Sequence, residues 1–591
     1  MPILSRNLDK NVFIGNNGHI SQGLPVKKKR LLTAVFISAL LLSAIAGTQF
    51  VNVVPANFFP EPIPQGIRIE SDGSVNGTTD KILRDGNTYT LTDNIYDTIV
   101  VLRDNIVIDG AGHILQGNGN STGIFLQDRN SVTIKNMEIR NFYCGILLTW
   151  EDMTKGSRNN NVSGNTITGN TFGITLDRET GNNFVYDNSI TNNSYGIYIV
   201  HSPGNVLKNN HLKDNQYNLW VYVETSVQPS HFVNDIDDSN TIDGKPIYYW
   251  VGQHDRTVPS DAGYVALVSC YRITVQNLNL ANNGQGVLLV STNNSLITKN
   301  HMPNNDYGIA VYSPYAQCMN NTITENEIVG NTKDGVFTWG SIGSNITKNY
   351  IANNNINGIN AFDFTGGGIV GNNVTSNVEA GIKLWGDTLT DVLGNYVANN
   401  GVGIHLESSE NRIVSNVIIE NIGFGMYLGS EVISGGSTNN IIHHNSFINN
   451  HVEKAETTYI KPVITSIKPE VEGLQVFVPA FMEWRVNNVW DDGEEGNYWS
   501  DYVTRYPNAT EVEELGIGNT PFYIDEKNID RYPLLKPIEI PEVPSPSQEA
   551  QDSEPFPVVP VAVASAASIV VVVAVLLVYF KKRRKESWGK A

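Results

Sequence analysis

Cysteine is scarce in this sequence. Only three of the 591 residues are cysteine, namely Cys144, Cys270 and Cys318. At most one pair could form a disulfide, so a disulfide framework is excluded. No Cys-x-x-Cys pair is present, and a structural zinc site of the Cys₂His₂ type is therefore not expected.

Charged residues are also few, at 17% of the chain. A coiled coil would be rich in Ala, Glu, Lys and Leu, and collagen would place Gly at every third position, so neither class fits. Hydrophobic residues make up 40% of the chain and recur regularly, which argues against bulk disorder. The length exceeds the ~250–300 residues that one compact core can serve.

The net charge of −19 is unevenly distributed. Residues 1–30 and residues 581–591 each carry +5, which leaves −29 on residues 31–580. A body this acidic repels phosphate backbones, so nucleic acid is not an expected partner.

A four-residue pattern, Gly-aliphatic-x-aliphatic, recurs along the middle of the chain in steps of 22 to 28 residues, interrupted once between residues 222 and 285. A second element, Asn-x-aliphatic-x-x-Asn, precedes most copies by eight or nine residues. The copies of the first pattern, including one degenerate copy at Asn218, begin at Gly123, Gly145, Gly173, Gly196, Asn218, Gly286, Gly308, Gly335, Gly358, Gly381, Gly403 and Gly425.

A repeat of ~22–23 residues with short alternating strands predicts an all-β parallel solenoid, in which each repeat forms one coil. Coils ~4.8 Å apart pair each strand with its copies above and below. The two aliphatic residues of each tetrad should point inward, and the residue between them outward. Asn suits the corners and can form ladders of stacked amides.

The repeats also set the expected domain boundaries. We expect residues 106–452 to form the coils, with a looser insertion at 222–285. Open solenoid ends expose strand edges and need covering. Residues 51–105 are predicted to form the N-terminal segment and cap, and residues 453–536 an insertion followed by a C-terminal capping block. The whole solenoid should contain about 14–16 coils.

Both ends carry targeting features. Residues 1–50 read as a basic leader with a signal peptide or, alternatively, an N-terminal anchor. Residues 537–557 form a Pro-rich acidic stalk, and 558–580 are apolar and long enough to cross ~30 Å of hydrocarbon. The basic tail at 581–591 predicts a cytoplasmic C-terminus. We therefore expect a cell-membrane protein whose solenoid lies outside the cell.

Several blocks of the sequence are distinctive. They are Gly-Lys-Pro-Ile-Tyr-Tyr-Trp at 244–250, Asn-Val-Trp-Asp at 488–491, Gly-Asn-Tyr-Trp-Ser-Asp-Tyr at 496–502 and Asp-Arg-Tyr-Pro-Leu at 530–534. Together they resemble the NosD-like family of right-handed parallel β-helix proteins, which is often described with carbohydrate-binding and sugar-hydrolase β-helix domains. The resemblance covers roughly residues 66–536. It implies a right-handed parallel β-helix and, more loosely, a role as an accessory factor for a copper centre.

Outward tetrad residues form two columns that include many aromatic side chains. Tyr312, Trp339, Phe362 and Trp385 fall on consecutive coils and predict an exposed aromatic stripe on which sugar rings can stack. The alternatives are that the stripe is covered by a loop or a neighbouring protein, or that it only strengthens strand stacking. A polysaccharide or cell-envelope glycan is the expected partner, and the candidate binding residues are Trp220, Tyr222, Tyr312, Phe337, Trp339, Phe362 and Trp385.

Catalysis is the competing hypothesis. A polysaccharide hydrolase needs two carboxylates ~5–9.5 Å apart, and the best acid group in the sequence is Glu151, Asp152 and Asp177. The sequence blocks that polygalacturonase-like enzymes carry, such as Asn-Thr-Asp and Gly-His-Gly, are absent from this sequence. A non-catalytic surface protein is therefore the leading hypothesis, and a polysaccharide hydrolase or lyase is the alternative.

No metal cofactor is expected, although two candidate regions exist. His443 and His444 are adjacent in a strand-like segment and should point to opposite faces, and His451 lies seven residues beyond His444. These are the candidates for copper. The acidic run at 491–495 is a candidate for Ca²⁺, but it lacks EF-hand spacing.

Overall fold

The computed structural model describes the backbone and side chains of eight ranges, and the backbone of Thr458–Tyr459 in addition. All of them lie in one unit that spans Pro60–Ala591. The predicted leader, the membrane segment at 558–580, the basic tail and most of the insertion at 453–483 lie outside these ranges. The ranges are 63–77, 80–151, 156–223, 228–313, 318–429, 437–450, 487–539 and 542–545.

The described residues form a parallel β-solenoid of about 14 turns, as the repeat predicts. The helical elements within these ranges are one 3₁₀ turn at Pro229–Phe232 and one α-helical turn at Tyr502–Arg505. Neither has the length and apolar content that a bilayer crossing requires. The prediction of an all-β chain is therefore confirmed over the described part.

The first half of the solenoid is built on two eight-stranded sheets and the beginning of a third. Sheet 1 contains Ile67–Ile69, Val75–Asn76, Ile99–Val101, Thr122–Gln127, Cys144–Thr149, Phe172–Asp177, Tyr195–Val200 and Tyr217–Tyr222. Sheet 2 contains Ile82–Asp85, Thr88–Leu91, Val107–Asp109, Thr133–Lys135, Asn161–Ser163, Phe184–Tyr186, Val206–Lys208 and Asp235–Ile236.

Sheet 3 has 16 strands and runs through both halves of the solenoid. Its strands are Ile114–Gln116, Glu138–Arg140, Thr166–Thr168, Ser189–Thr191, His211–Lys213, Thr241–Ile242, Lys245–Val251, Tyr264–Val268, Gln285–Val290, Tyr307–Tyr312, Val336–Ile342, Ile359–Thr365, Ala380–Trp385, Val402–Glu407, Met426–Leu428 and Thr458–Tyr459.

Two further sheets belong to the second half, and a short hairpin follows them. Sheet 4 contains His254–Thr257, Tyr271–Gln276, Leu296–Thr298, Thr322–Thr324, Asn345–Thr347, Gly368–Val370, Asp391–Leu393, Arg412–Val414 and Ile441–His443. Sheet 5 contains His301–Pro303, Glu327–Val329, Tyr350–Ala352, Asn373–Thr375, Tyr396–Ala398, Val417–Ile419, Ser446–Ile448 and Tyr498–Trp499. The hairpin pairs Phe522–Tyr523 with Ile529–Asp530.

The tetrad glycines allow the coils to approach closely. A Cβ added to Gly173 would lie 2.5 Å from the carbonyl oxygen of Gly196 in the next coil. The aliphatic residues of the same tetrad, Ile174 and Leu176, are fully buried in the lumen. The pattern therefore combines a glycine that lets two backbones meet with two side chains that fill the core.

Buried asparagines connect the coils through continuous ladders. In the second half, Asn349 donates both its backbone and its side-chain N–H to Oδ1 of Asn372, each at 3.0 Å. Asn372 donates in the same way to Asn395, and its side chain also donates to the carbonyl of Ile346 at 2.8 Å. Each side-chain amide thus forms hydrogen bonds with buried backbone N–H and C=O groups at the corners of the coils.

The residue before a ladder asparagine usually adopts a left-handed conformation. Asn192 and Asn399 have φ of 55° and 57° and precede Asn193 and Asn400. This turn rotates the chain into the next strand and directs the following amide inward. Asn, Asp and Gly are common at the corner because they tolerate positive φ.

The looser insertion predicted at 222–285 contains a junction at which the chain reverses. The strand Lys245–Val251 pairs antiparallel with Thr241–Ile242 through a turn at Asp243 and Gly244, whose φ values are 49° and 82°. Strands that follow in sheet 3 run parallel to Lys245–Val251 and therefore opposite to those of the first half. Ile242 pairs with Lys245, and residues at every second position of a strand share a face. Ile247 and Tyr249 therefore lie on the face that lines the interior of the first half, which we call the first lumen; the interior of the second half is the second lumen.

The other face of this strand lines the second lumen. Tyr248 and Trp250 pack against the core cluster that contains Val265 and Leu267. One continuous sheet therefore has the first lumen on one face and the second lumen on the other. The outward tetrad residues nearest the junction are buried, for example Leu288 at 0% exposure, because the end of the first half covers them. The prediction that every such residue points to solvent is wrong there.

Both described ends of the solenoid are covered. At the N-terminal end, Val75–Asn76 and Ile82–Asp85 pair antiparallel with their neighbours and close the edges of sheets 1 and 2. At the C-terminal end, Asn497 continues the ladder from Asn445, and its N–H donates to Oδ2 of Asp530 at 2.7 Å. The indole of Trp499 stacks on Phe522 with ring centroids 4.2 Å apart.

Loss of one ladder amide should destabilise the solenoid. Asn372→Ala leaves the carbonyl of Ile346 and donors of Asn349 without partners, and we expect the free energy of unfolding to fall by about 3 kcal/mol. Urea denaturation measures the change. The matched control is Asn355→Ala, because the side chain of Asn355 is exposed at the corner that follows Tyr350–Ala352, one coil before Asn372, and it should change stability by less than about 0.5 kcal/mol. Equal effects of the two substitutions would contradict the role of the ladder.

Candidate functional site

Three aromatic side chains form a continuous surface on sheet 3, which we call the aromatic platform. Trp339, Phe362 and Trp385 are direct register partners on adjacent strands. Their ring centroids are 5.8 Å and 4.6 Å apart, and the ring planes are tilted by 59° and 38°. Each side chain is half-buried, so each ring is held by packing and retains an accessible part.

A column of polar side chains runs beside the aromatic platform. Its members are successive register partners on adjacent strands, namely Asn360, Lys383, His405 and Tyr427. Asn360 and Lys383 each lie two residues before a platform ring on the same strand. The Lys383 Nζ lies 5.9 Å from the centre of the Trp385 ring. The platform is therefore bordered by hydrogen-bonding groups and one cation.

A histidine–carboxylate pair closes one end of the platform. Glu407 is the register partner of Trp385, and its Oε1 lies 2.6 Å from Nε2 of His405. The His405 ring meets Tyr427 edge-on at 4.7 Å. Burial opposes ionisation of Glu407, but hydrogen bonding to His405 and the charge of His405 outweigh it, so the pKa of Glu407 is lowered. A histidine oriented in this way has the geometry of a general base.

Two aspartates lie close to the platform rings. Asp363 directly follows Phe362 within the strand Ile359–Thr365, and Asp387 lies in the corner after Ala380–Trp385. Asp387 is fully buried, and its Oδ1 accepts the N–H of Phe364 at 2.5 Å. Burial raises the pKa of Asp387 well above its usual range, and burial also raises the pKa of Asp363. Asp387 holds the corner through the backbone of the preceding coil, so we assign it a structural role.

Four of the seven predicted binding residues lie at or near the junction. Trp220 and Tyr312 are each only 1% exposed, so the prediction that they belong to an exposed surface is wrong. Tyr312 lies against Phe232, and the ammonium of Lys333 lies 4.6 Å from the Trp220 ring. Half-buried Tyr222 and Phe337 border the same contact, and Phe337 packs 5.7 Å from Tyr312. The two halves of the solenoid use these rings to pack together.

The two described members of the predicted acid group differ in exposure. Glu151 is exposed, and Asp152 lies outside the described residues. Asp177 is buried, and its Oδ2 accepts a hydrogen bond from Thr149 Oγ1 at 3.1 Å. Asp177 thus contacts the neighbouring strand of sheet 1, and a catalytic role for these acids stays a prediction.

The two adjacent histidines lie on the same side of their corner. Nδ1 of His443 is 2.5 Å from Nδ1 of His444, so the prediction of opposite faces is wrong. His444 has φ of 55° because it occupies the left-handed position before a ladder asparagine, Asn445. Burial and the neighbouring His444 lower the pKa of His443. The third histidine candidate, His451, lies outside the described residues.

The acidic run at 491–495 folds over the histidine pair. Asp491 is buried and binds Arg531 through two N–O contacts of 2.9 Å and 2.5 Å. Asp492 reaches the histidines, and ligand atoms of His443, His444 and Asp492 all lie within 4.8 Å of one another. The predicted calcium loop therefore divides into a structural ion pair and a carboxylate that joins the histidines.

Sequence reasoning missed the partners of both sites. His405 and Glu407 were visible as outward positions two residues apart on the strand after Trp385, which is the spacing that brings two side chains to one face. Asp492 is separated from His443 by 49 positions in the sequence, and only the fold of the cap brings the two together. The left-handed corner position was the available signal for the histidine pair.

Comparison with known families supports the resemblance predicted from the sequence. The family described as "Periplasmic copper-binding protein (NosD)" matches residues 240–389 and 358–460, and the "Right handed beta helix region" matches residues 99–259. The solenoid is thus a right-handed parallel β-helix that resembles NosD-like proteins. No curated protein matches the chain.

The solved structures that match part of this chain include a tailspike protein and two epimerases. The Dettilon tailspike protein gp208 is 14% identical, with a TM-score of 0.25, and the match covers 61% of this chain and 62% of that one. The periplasmic alginate epimerase AlgG is 12% identical, with a TM-score of 0.29 and coverages of 66% and 81%. The A-module of the Azotobacter vinelandii mannuronan C-5 epimerase AlgE6 is 13% identical, with a TM-score of 0.24 and coverages of 64% and 89%.

Oxidative footprinting should separate platform tryptophans from core tryptophans. Trp339 and Trp385 are half-buried, whereas Trp220, Trp490 and Trp499 are each 1% exposed. We expect hydroxyl radicals to modify the first two several-fold faster, as quantified by mass spectrometry of proteolytic peptides. Protection of Trp339 and Trp385 to the level of Trp499 would mean that another surface covers the platform.

Proposed function

We propose that this chain, which resembles the NosD-like right-handed β-helix proteins, binds a polysaccharide along its aromatic platform without cleaving it. The observation that carries the proposal is the alignment of Trp339, Phe362 and Trp385 on three consecutive coils. Sugar rings present apolar C–H faces that stack on aromatic rings, and side chains already fixed by packing lose little entropy on binding.

The geometry favours an extended glycan that lies across the strands, parallel to the direction of coil stacking. Such a chain would contact all three rings in sequence. Lys383 and His405 stand beside the rings and can donate hydrogen bonds to hydroxyl or carboxylate groups of the same glycan. We propose that the rings supply most of the affinity and that the polar column distinguishes between sugars.

We also propose that the chain is exported and tethered to the cell membrane, with its solenoid outside. This part of the proposal rests on the sequence of the ends, namely the basic leader with its apolar run, the Pro-rich stalk at 537–557 and the apolar segment at 558–580. A tethered solenoid with a glycan-binding face would act in the cell envelope.

A polysaccharide-cleaving enzyme is the second candidate, because a histidine–carboxylate pair adjoins the platform. His405 is held by Glu407 at 2.6 Å and lies one coil from Trp385. A glycan stacked on Trp385 would bring a sugar ring close to the imidazole, which is the arrangement required for proton abstraction in a lyase. Lys383 could stabilise the negative charge that develops.

Removal of the two tryptophans tests the binding proposal. We expect Trp339→Ala combined with Trp385→Ala to abolish retention of the purified full-length chain on a glycan array, because two of three stacking rings are lost. The matched control is Tyr350→Ala with Tyr396→Ala, which removes two half-buried rings from sheet 5 at a similar distance along the solenoid. Unchanged retention of the tryptophan variant would contradict the proposal.

Product analysis decides between binding and cleavage. If the chain only binds glycans, a polysaccharide panel incubated with it gains neither reducing ends nor absorbance from unsaturated sugars. If cleavage occurs, we expect His405→Asn and Glu407→Gln to abolish it, since they remove the base and its orienting carboxylate. Cleavage that survives in both variants would instead direct attention to the acids around Asp177.

A further inference from the structure

The last turns of the solenoid bring together His443, His444 and Asp492, which we call the histidine–aspartate cluster. His443 ends its strand in sheet 4, and His444 forms the next corner. Asp492 comes from the capping block, which folds back over this corner. None of its members belongs to the aromatic platform or the polar column.

The two imidazoles face each other through the same ring nitrogen. Nδ1 of His443 lies 2.5 Å from Nδ1 of His444, and Nε2 of His444 lies 2.7 Å from Oε2 of Glu495. When the Nε2–H of His444 donates to Glu495, its Nδ1 carries a lone pair directed at His443. The Nδ1–H of His443 can donate to this lone pair, and a cation that binds both Nδ1 atoms would displace that proton.

Asp492 is held in place by hydrogen bonds from the backbone. Its Oδ1 accepts the N–H groups of Glu494 and Glu495 at 2.9 Å and 2.8 Å. The backbone turn thereby orients the carboxylate. The three side chains offer two ring nitrogens and one carboxylate oxygen that lie within 4.8 Å of one another.

This donor set has a clear chemical preference. Two imidazoles and one carboxylate suit borderline divalent transition metals, whereas Ca²⁺ prefers six to eight oxygens. In a tetrahedral zinc site with bonds of ~2.0–2.1 Å, ligand atoms lie ~3.3 Å apart. Here the two Nδ1 atoms are 2.5 Å apart, and all three ligand atoms lie within 4.8 Å of one another. Small side-chain rotations would therefore bring the three atoms to the spacing of a metal site. We propose that His443, His444 and Asp492 bind one divalent transition metal ion, with Glu495 orienting His444.

The surroundings provide the remaining features of a metal site. Glu495, which binds His444, also lines a pocket of about 460 Å³ together with Glu494, Arg531 and Tyr532. The pocket therefore adjoins the residue that orients His444, although the three proposed ligands are not among its lining residues. The carboxylate on the second nitrogen of His444 matches the usual support of a metal-bound histidine.

The description of the NosD family names copper, and the donor set fits the cupric ion as well as zinc. It fits the cuprous ion less well, because that ion prefers sulfur ligands and the three cysteines are buried elsewhere in the solenoid. Zn²⁺ is the probe for affinity, because it has no redox chemistry that could complicate the measurement. Co²⁺ is the probe for ligand type, because its visible absorption spectrum depends on the atoms that bind it.

The test uses the full-length chain after treatment with a chelator. We expect calorimetry to show one Zn²⁺ per chain, and Co²⁺ to give visible bands of nitrogen and oxygen ligation without a thiolate charge-transfer band. His443→Gln and His444→Asn should each weaken Zn²⁺ binding by more than ~10-fold, and Glu495→Gln by ~10–100-fold. Asn is chosen at position 444 because it tolerates the left-handed corner.

Controls separate a local site from general effects. His254→Ala removes an exposed histidine that also has an aspartate neighbour, Asp255 at 2.9 Å, and it should leave Zn²⁺ binding unchanged. Circular dichroism and the melting temperature of the metal-free variants establish that the fold is retained. Absence of stoichiometric binding overturns the proposal, as does binding that survives in the His443→Gln, His444→Asn double variant. Ca²⁺ binding that depends on Asp492 but not on the histidines would overturn it in favour of an oxygen site.

Discussion

The hydrogen bond from one ladder asparagine to the next is the interaction on which the rest of the structure depends. A solenoid corner must turn the chain while it is buried between coils, and its backbone groups have no strand partners there. The Asn side chain both accepts two N–H groups from the previous coil and donates to a carbonyl, as Asn372 does. Because each amide needs the next one, the ladders fix the register of every coil.

The same constraint explains how the solenoid ends. Asn497 in the capping block continues a ladder that reaches back to Asn300, and Asp530 accepts the N–H of Asn497. Asn488 continues a second ladder from Asn411 and Asn440. The residues that carry the family resemblance in this block are thus largely capping residues. Packing of Trp499 against Phe447 and Phe522 covers the lumen, so the open edge is protected by aromatic stacking and by satisfied polar groups.

The junction decides which part of the aromatic column is accessible. Reversal of the chain at Asp243 and Gly244 moves the second lumen to the other face of sheet 3, and the end of the first half then covers Leu288 and Tyr312. The aromatic column is free of the contact between the two halves only from Trp339 onward. The accessible platform is therefore the portion of a longer column that the two halves do not use to pack against each other.

The sequence by itself determined the coil, because glycine, two aliphatic residues and asparagine recur at the spacing that parallel stacking requires. It also placed Trp339, Phe362 and Trp385 on consecutive coils, since the repeat fixes register along the stack. It could not reveal that Trp220 is buried, because burial there depends on a reversal encoded by one two-residue turn. Nor could it join Asp492 to His443, since contacts between residues far apart in the chain arise only when the cap closes on the last coil. Local periodicity thus set the backbone, whereas the exposure of each site and the partners of each side chain were decided by how the two halves and the cap pack together.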